Sequence, residues 1–86
     1  MMENNHTGKS YSDAIIIIGE DDFEGTEKIW VWLDDHLGHR NEDWFFLNQS
    51  LENTESGVFD VMTVRLKNGE QKDYFFDISD TFGKGF

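Results

Sequence analysis

The segment TEKIWVWLDDHLG, residues 26–38, decides the fold because it fits two kinds of secondary structure. Read as a helix, it places Ile29, Leu33 and Leu37 on one face, since residues four apart are neighbours on a helix. Thr26 is a typical N-cap, and Gly38 suits the position after the last helical residue. The apolar stripe and both end signals agree, so the sequence predicts a helix over residues 26–37.

A strand is the alternative for the same segment. Trp30 and Trp32 alternate with Ile29, Val31 and Leu33, and all five residues are good strand formers. The strand interpretation explains only these five residues, whereas the helix explains the segment as a whole. The choice separates two folds: a helix packed on a sheet, or an all-β five-stranded sheet.

The second half of the chain predicts a β-hairpin and one further strand. Two segments rich in strand formers, GVFDVMTVRL (57–66) and KDYFFDIS (72–79), flank the turn KNGEQ. Asn68 and Gly69 are residue types that supply the positive φ angles of hairpin turns. Residues 43–51 fit either a helix or a strand, but the short polar connection NTESG that follows favours a strand and a three-stranded meander.

Upstream of the helix, AIIIIG (14–19) is typical of a short strand. Four consecutive isoleucines leave no polar face, so we expect this strand to be central and covered on both sides. EDDFEG (20–25) predicts a loop, and the polar residues 1–13 predict a flexible tail. The predicted fold class is α+β: a single acidic domain over residues 14–86, with one helix packed on an antiparallel sheet of about four strands, in the order β-α-β-β-β.

The net charge of −11 comes from 18 acidic and 7 basic side chains in 86 residues. Nucleic-acid binding depends on Lys and Arg, so we expect neither direct nucleic-acid binding nor attraction to an anionic membrane. The same charge attracts basic proteins and speeds their encounter. The sequence therefore predicts a basic protein partner.

Three features of the sequence predict a cytoplasmic protein. The first 13 residues carry no secretory signal pattern. The longest apolar run is far shorter than the roughly 20 residues that span a bilayer. The chain also has no cysteine, which is typical of a reducing compartment and excludes disulfides and thiolate chemistry.

The acidic side chains are concentrated in one part of the chain. Residues 20–43 hold nine acids and two bases, which is −7 of the total −11. Such a concentration exceeds what solubility needs, and its self-repulsion destabilises the folded state. We interpret this span as a candidate partner-binding region, with an ordinary solvated surface as the alternative.

Neither of two candidate cation sites fits a metal. EDDFEGTEKIWV (20–31) has alternating acids and a glycine, Gly25, at its sixth position, but Val31 stands where a calcium loop needs a bidentate Glu. His36 and His39 are separated by Gly38, which is expected to end the helix, and zinc takes three or four well-spaced ligands. We predict no metal site and no cofactor, and we expect both histidines at the surface.

The sequence gives no sign of an enzyme. It lacks a Gly-x-Ser-x-Gly elbow, a phosphate-binding glycine loop and a nucleotide-binding fingerprint. Its small size also limits the depth of any pocket. We therefore predict a protein without catalytic residues.

Aromatic residues make up 15% of the chain, and many are adjacent or alternate. Aromatic rings surrounded by charge are typical of binding interfaces, although the same rings can simply fill a small core. We predict a small non-enzymatic binding protein that occludes a basic surface, as a nucleic-acid mimic inhibitor or an immunity protein. The alternative is a self-associating module that forms a homodimer. The predicted partner-binding residues are Asp21, Asp22, Glu24, Asp34, Asp35, Glu42, Asp43, Trp30, Trp32 and Trp44.

Overall fold

A computed structural model describes residues 7–82 of the chain. After a 3₁₀ turn at Tyr11–Asp13, the elements are β1 (Ile15–Ile16), α1 (Asp22–Leu37), β2 (Trp44–Thr54), β3 (Gly57–Leu66) and β4 (Gln71–Asp77). The strands form one sheet in the order β1-β4-β3-β2. The predicted α+β class and the order β-α-β-β-β are confirmed, and the all-β alternative is wrong.

The sheet is mixed rather than purely antiparallel. β2 and β3 pair antiparallel, as do β3 and β4, so the three-stranded meander is confirmed. β1 instead runs parallel to β4, because α1 carries the chain over the sheet before β2 begins. The helix covers one face of the sheet with the buried side chains of Ile29 and Leu33, and Gly25 is buried near the start of the helix.

The helix begins four residues before the predicted start. Asp21 is the N-cap, and its carboxylate accepts a hydrogen bond from the Glu24 backbone N–H at 2.8 Å. The Glu24 side chain accepts in turn from the Glu20 backbone N–H at 2.8 Å. This reciprocal pattern is a capping box, so the segment predicted as a loop forms the first turn of α1. The predicted end is confirmed, because Gly38 is the C-cap with a φ of 103°.

The isoleucine run differs most from its prediction. β1 has only two residues and lies at the edge of the sheet, not at its centre. Ile15 and Ile17 are buried, whereas Ile16 and Ile18 are exposed. The run therefore alternates as a strand with one covered face, and the expectation of burial on both sides is wrong.

Part of the predicted N-terminal tail packs against the sheet. The Tyr11 ring meets Phe59 and Phe75 edge-on at centroid distances of 5.0 and 4.8 Å. The Gly8 carbonyl accepts a hydrogen bond from the Phe75 N–H at 2.7 Å. Residues 7–13 thus cover part of the sheet face opposite α1, while residues 1–6 lie outside the described range.

The turn between β3 and β4 is close to its prediction. Gly69 has a φ of 94°, as a hairpin turn requires, but Asn68 does not have a positive φ. The Asn68 side chain instead accepts from the Glu70 N–H at 2.9 Å, and the Leu66 N–H donates to the Glu70 carbonyl. The loop is therefore longer than two residues, and glycine is needed at one position only.

The core lies between α1 and the sheet, and its largest fully buried side chains are those of Trp44 and Phe76. Among residues 7–82, no helix has both the length and the apolar character needed to cross a membrane.

Candidate partner-binding surface

Three of the seven predicted acidic site residues have structural roles. Asp21 and Glu24 form the capping box of α1. Asp43 accepts a hydrogen bond from the His39 N–H at 2.8 Å and so closes the turn between α1 and β2. These carboxylates still contribute charge, but one oxygen of each already accepts a hydrogen bond within the protein.

The other four predicted acids occupy different places. Asp34 and Asp35 are exposed near the end of α1, and Glu42 is exposed in the turn that follows. Asp34 and Glu42 also line one open polar hollow of about 570 Å³, beside Arg40. Asp22 is only partly exposed and lines a separate cavity near the start of the helix.

The predicted tryptophan anchors are not free at the surface. Trp44 is fully buried, and its Nε1–H donates to the Gly38 carbonyl at 3.0 Å. Trp30 is half-buried, stacked on Trp44 and covered by the Arg40 guanidinium, which lies 4.6 Å from its ring centroid. The sequence predicts these rings at a binding interface, but in the structure they pack between α1 and the sheet. Trp44 in particular cannot contact a partner in this conformation.

Trp32 is half-buried in a similar way. Its ring stacks on His36 with centroids 3.9 Å apart, and it meets Phe76 edge-on at 5.4 Å. The His36 Nδ1 lies 2.9 Å from the Trp32 carbonyl and 3.9 Å from an Asp35 oxygen. His36 and His39 are both exposed. Within the described part of the chain, no group of three or more His, Cys, Asp or Glu residues is arranged to hold a metal ion.

Two exposed apolar residues of α1 were missed by the sequence interpretation. Phe23 is 72% exposed and Val31 is 66% exposed. Phe23 fell in a segment predicted as a loop, so its helical neighbours could not be assigned. Had the capping box been recognised, the spacing of eight residues would have placed both side chains on one face.

These residues share the solvent side of the helix with three carboxylates. At 100° per residue, Phe23, Glu27, Val31 and Asp34 lie within about a quarter of the helix circumference, opposite the buried stripe, and Asp35 lies beside them. We call this set the outer helix surface: Phe23, Glu27, Val31, Asp34 and Asp35.

Among the described residues, the carboxylates of the outer helix surface form no ion pair with a lysine or an arginine. Within residues 7–82, Glu27 and Asp34 have no ion pair, and Asp35 has only His36. The closest basic side chains along the chain are used elsewhere, since Lys28 donates to the Ile18 carbonyl and Arg40 lies over Trp30. The negative electrostatic potential of the outer helix surface can therefore attract a basic group of another molecule.

A buried carboxylate lies away from this surface and was also missed. Asp60 on β3 is 5% exposed, and both of its oxygens lie 3.0 Å from the Gln49 amide nitrogen on β2. Burial raises the pKa of Asp60 above its ordinary value of 3.8, and the hydrogen bond from Gln49 offsets only part of this rise. The folded state therefore holds this proton more tightly than the unfolded chain does.

The sign of the Asp60 effect gives a prediction. The contribution of Asp60 to the free energy of unfolding is fully present below the pKa that this residue has in the unfolded chain. It is lost as the pH rises through the higher pKa of Asp60 in the folded protein. Asp60→Asn should therefore stabilise the protein by about 1 kcal/mol at pH 7, and this difference should disappear toward pH 3 to 4. Urea denaturation at both pH values measures it. The exposed control Asp35→Asn should change stability by less than about 0.5 kcal/mol, and destabilisation by Asp60→Asn at pH 7 would contradict the assignment.

The fold and surface define a class: a small α+β domain with an acidic, partly apolar outer helix surface. Comparisons with protein families, with curated proteins and with solved structures give no match for the chain.

Proposed function

We propose that this protein is a non-enzymatic binding protein that occludes a basic surface of another protein. The partner surface would be one that normally contacts nucleic acid, as in a nuclease or a nucleic-acid-binding protein. The outer helix surface makes the contact, with Glu42 adding charge at its end. No direct nucleic-acid or membrane contact is part of the proposal.

The observation that carries the proposal is the unbalanced charge of the outer helix surface. In the described residues Glu27, Asp34 and Glu42 have no Lys or Arg partner. Like charges held on one helix cost folding free energy, and a basic partner would remove that cost on binding. The resulting field also steers a basic protein toward this face and speeds the encounter.

The exposed apolar side chains supply the second support. Charge alone gives fast association but modest affinity, and tight interfaces usually contain a few desolvated anchors. Phe23 and Val31 lie beside the carboxylates and have most of their surface free. They replace the tryptophans as the anchors of the proposed interface.

The proposal places this activity in the cytoplasm. Its support is the absence of cysteine from the chain, which suits a reducing compartment.

The test is capture from the native lysate at low salt with three versions of the protein. The wild type is compared with Asp34→Asn/Asp35→Asn and with a matched control, Glu55→Gln/Glu70→Gln. Both variants lose two negative charges, but Glu55 and Glu70 are exposed in the hairpin turns of the sheet. Captured proteins are eluted with salt and, separately, with competing DNA.

We expect the wild type and the control to recover the same basic protein, displaced by either salt or DNA. The Asp34/Asp35 variant should associate with the recovered protein about tenfold more slowly at low salt, with a flatter salt dependence. Equal rates for both double variants would remove the outer helix surface from the interface. Failure of DNA to displace the captured protein would contradict occlusion of a nucleic-acid-binding surface.

Self-association remains a second candidate because of one observation at β2. This strand has 11 residues and forms an edge of the sheet, with Phe46, Leu47 and Leu51 exposed. Its sequence contains a single charged residue, Glu52, so pairing of two β2 strands would meet little repulsion locally. Light scattering at micromolar concentration separates the candidates, because this one requires a stable dimer.

A further inference from the structure

A cavity of about 330 Å³, open to solvent on one side, lies between the first turns of α1 and the sheet, on the side of the molecule where β4 ends. Its polar lining consists of Asp22 and Thr26 from α1, Gln49 from β2 and Asp60 from β3. This volume is at the lower end of the range of about 300–1,000 Å³ typical of ligand clefts. The cavity is therefore suited to a small group rather than to a large cofactor.

Asp60 is the feature of this cavity that points to a ligand. Its side chain is almost completely buried, yet among the described residues it has no lysine, arginine or histidine partner. The Gln49 amide is its one hydrogen-bond donor there, whereas a carboxylate can accept about four hydrogen bonds. A buried carboxylate is normally paired with a cationic group, and Asp60 has no such partner among the described residues.

The rest of the lining restricts the chemistry of that counter-charge. Leu51, Ile78 and Phe82 form apolar walls beside the two carboxylates. Calcium and magnesium require six or more oxygen ligands, and no such cluster of acids occurs in the described residues. An ammonium or guanidinium head fits the carboxylates, and an aliphatic stem fits the apolar walls. An aromatic side chain such as Phe82 also attracts an organic cation.

We propose that this cavity binds the cationic head of a primary amine or a guanidine carried on an aliphatic stem. The head pairs with Asp60, which Gln49 holds in place, and the stem packs against Leu51 and Ile78. Two sources share this chemistry: a free small amine, and a lysine or arginine side chain of a protein. The site is separate from the outer helix surface, so it stands whether or not the proposed function is right.

The test follows the side-chain amide signals of ¹⁵N-labelled Gln49 by NMR at constant ionic strength and pH 7. The probes are n-butylammonium, N-ethylguanidinium and the neutral analogue n-butanol. Two capped pentapeptides, with a central lysine or arginine between glycines, represent the protein source. The proteins are the wild type, Asp60→Asn, Asp22→Asn and the charge-matched control Glu70→Gln, which alters an exposed residue in the turn between β3 and β4.

We expect saturable shifts of the Gln49 signals with both cations, with dissociation constants on the order of 1 mM. Asp60→Asn should weaken binding at least tenfold and Asp22→Asn less, while Glu70→Gln should leave it within about twofold. Peptides that bind as tightly as the free cations assign the cavity to a basic side chain of a protein, and exclusion of the peptides assigns it to a free amine.

Three results would overturn the proposal. They are the absence of saturable shifts, equal binding of n-butanol, and equal weakening by Asp60→Asn and Glu70→Gln. The last result would mean that the cations respond only to the overall charge of the protein.

Discussion

Replacing Trp44 by alanine should leave most of the protein unfolded at room temperature. The Trp44 side chain is fully buried, stacks on Trp30 with the rings 18° from parallel, and donates to the Gly38 carbonyl. Truncation of a buried tryptophan costs about 3–5 kcal/mol. A domain of this size without disulfides or metals has a stability of only about 3–5 kcal/mol. Urea denaturation followed by circular dichroism measures the loss.

Two further variants separate the causes of this effect. Trp44→Phe keeps most of the apolar contact but removes the hydrogen bond to Gly38, so it should cost about 1–2 kcal/mol. Phe23→Ala removes an aromatic ring that is mostly exposed and should change stability by less than about 0.5 kcal/mol. If Trp44→Ala retained nearly wild-type stability, Trp44 would not belong to the core, and its exclusion from the binding surface would be wrong.

The same residue shows where the sequence was informative about the fold and where it was not. The apolar stripe at Ile29 and Leu33 predicted the helix correctly, because an amphipathic period follows directly from the helix geometry. A tryptophan next to charged residues carries no such periodic signal. Trp44 follows Asp43 directly, and only the antiparallel pairing of Trp44 with Leu66 turns its ring toward the core.

The predicted start of α1 and the predicted burial of β1 are wrong for a different reason. The composition of EDDFEG predicts a loop, yet the carboxylates of Asp21 and Glu24 form the capping box at the start of α1. Four consecutive isoleucines present the same side chain on both faces of a strand, so the sequence alone does not show that the face of Ile16 and Ile18 is exposed. In both segments the position of each residue determines the structure more than the overall composition does.

The buried Asp60 could have been found from the sequence. It alternates with Val58, Met62 and Val64 in β3, which places a carboxylate in a row of otherwise apolar side chains. A charged residue at such a position is rarely buried without a role. Its hydrogen bond to Gln49 could not be predicted, because it depends on the pairing of β2 with β3 and on the irregularity between Phe46 and Asn48.

Gly25→Ala should destabilise the protein by about 1–3 kcal/mol, although alanine is normally the better helix former by about 1 kcal/mol. Gly25 lies inside α1 and is buried against the segment that follows β4. A Cβ at this position would lie 2.6 Å from the Thr81 Oγ1 and 3.0 Å from the Thr81 Cβ. Thr81 is itself buried, and its N–H donates to the Ile78 carbonyl, so it has little room to move.

Two further variants test whether the contact with Thr81 causes the loss of stability in Gly25→Ala. Thr81→Ala combined with Gly25→Ala should recover part of the loss in a double-mutant cycle, because the close Oγ1 atom is removed. The exposed control Val31→Ala, which raises helix propensity without a clash, should stabilise by a few tenths of a kcal/mol. Stabilisation by Gly25→Ala would mean that α1 does not approach this segment closely.

The contact at Gly25 also affects the cavity at Asp60. Ile78 and Phe82 line this cavity together with Asp22 and Thr26 of α1, so the distance between α1 and the segment after β4 sets its width. Gly25→Ala should therefore also weaken n-butylammonium binding at Asp60, although residue 25 does not line the cavity.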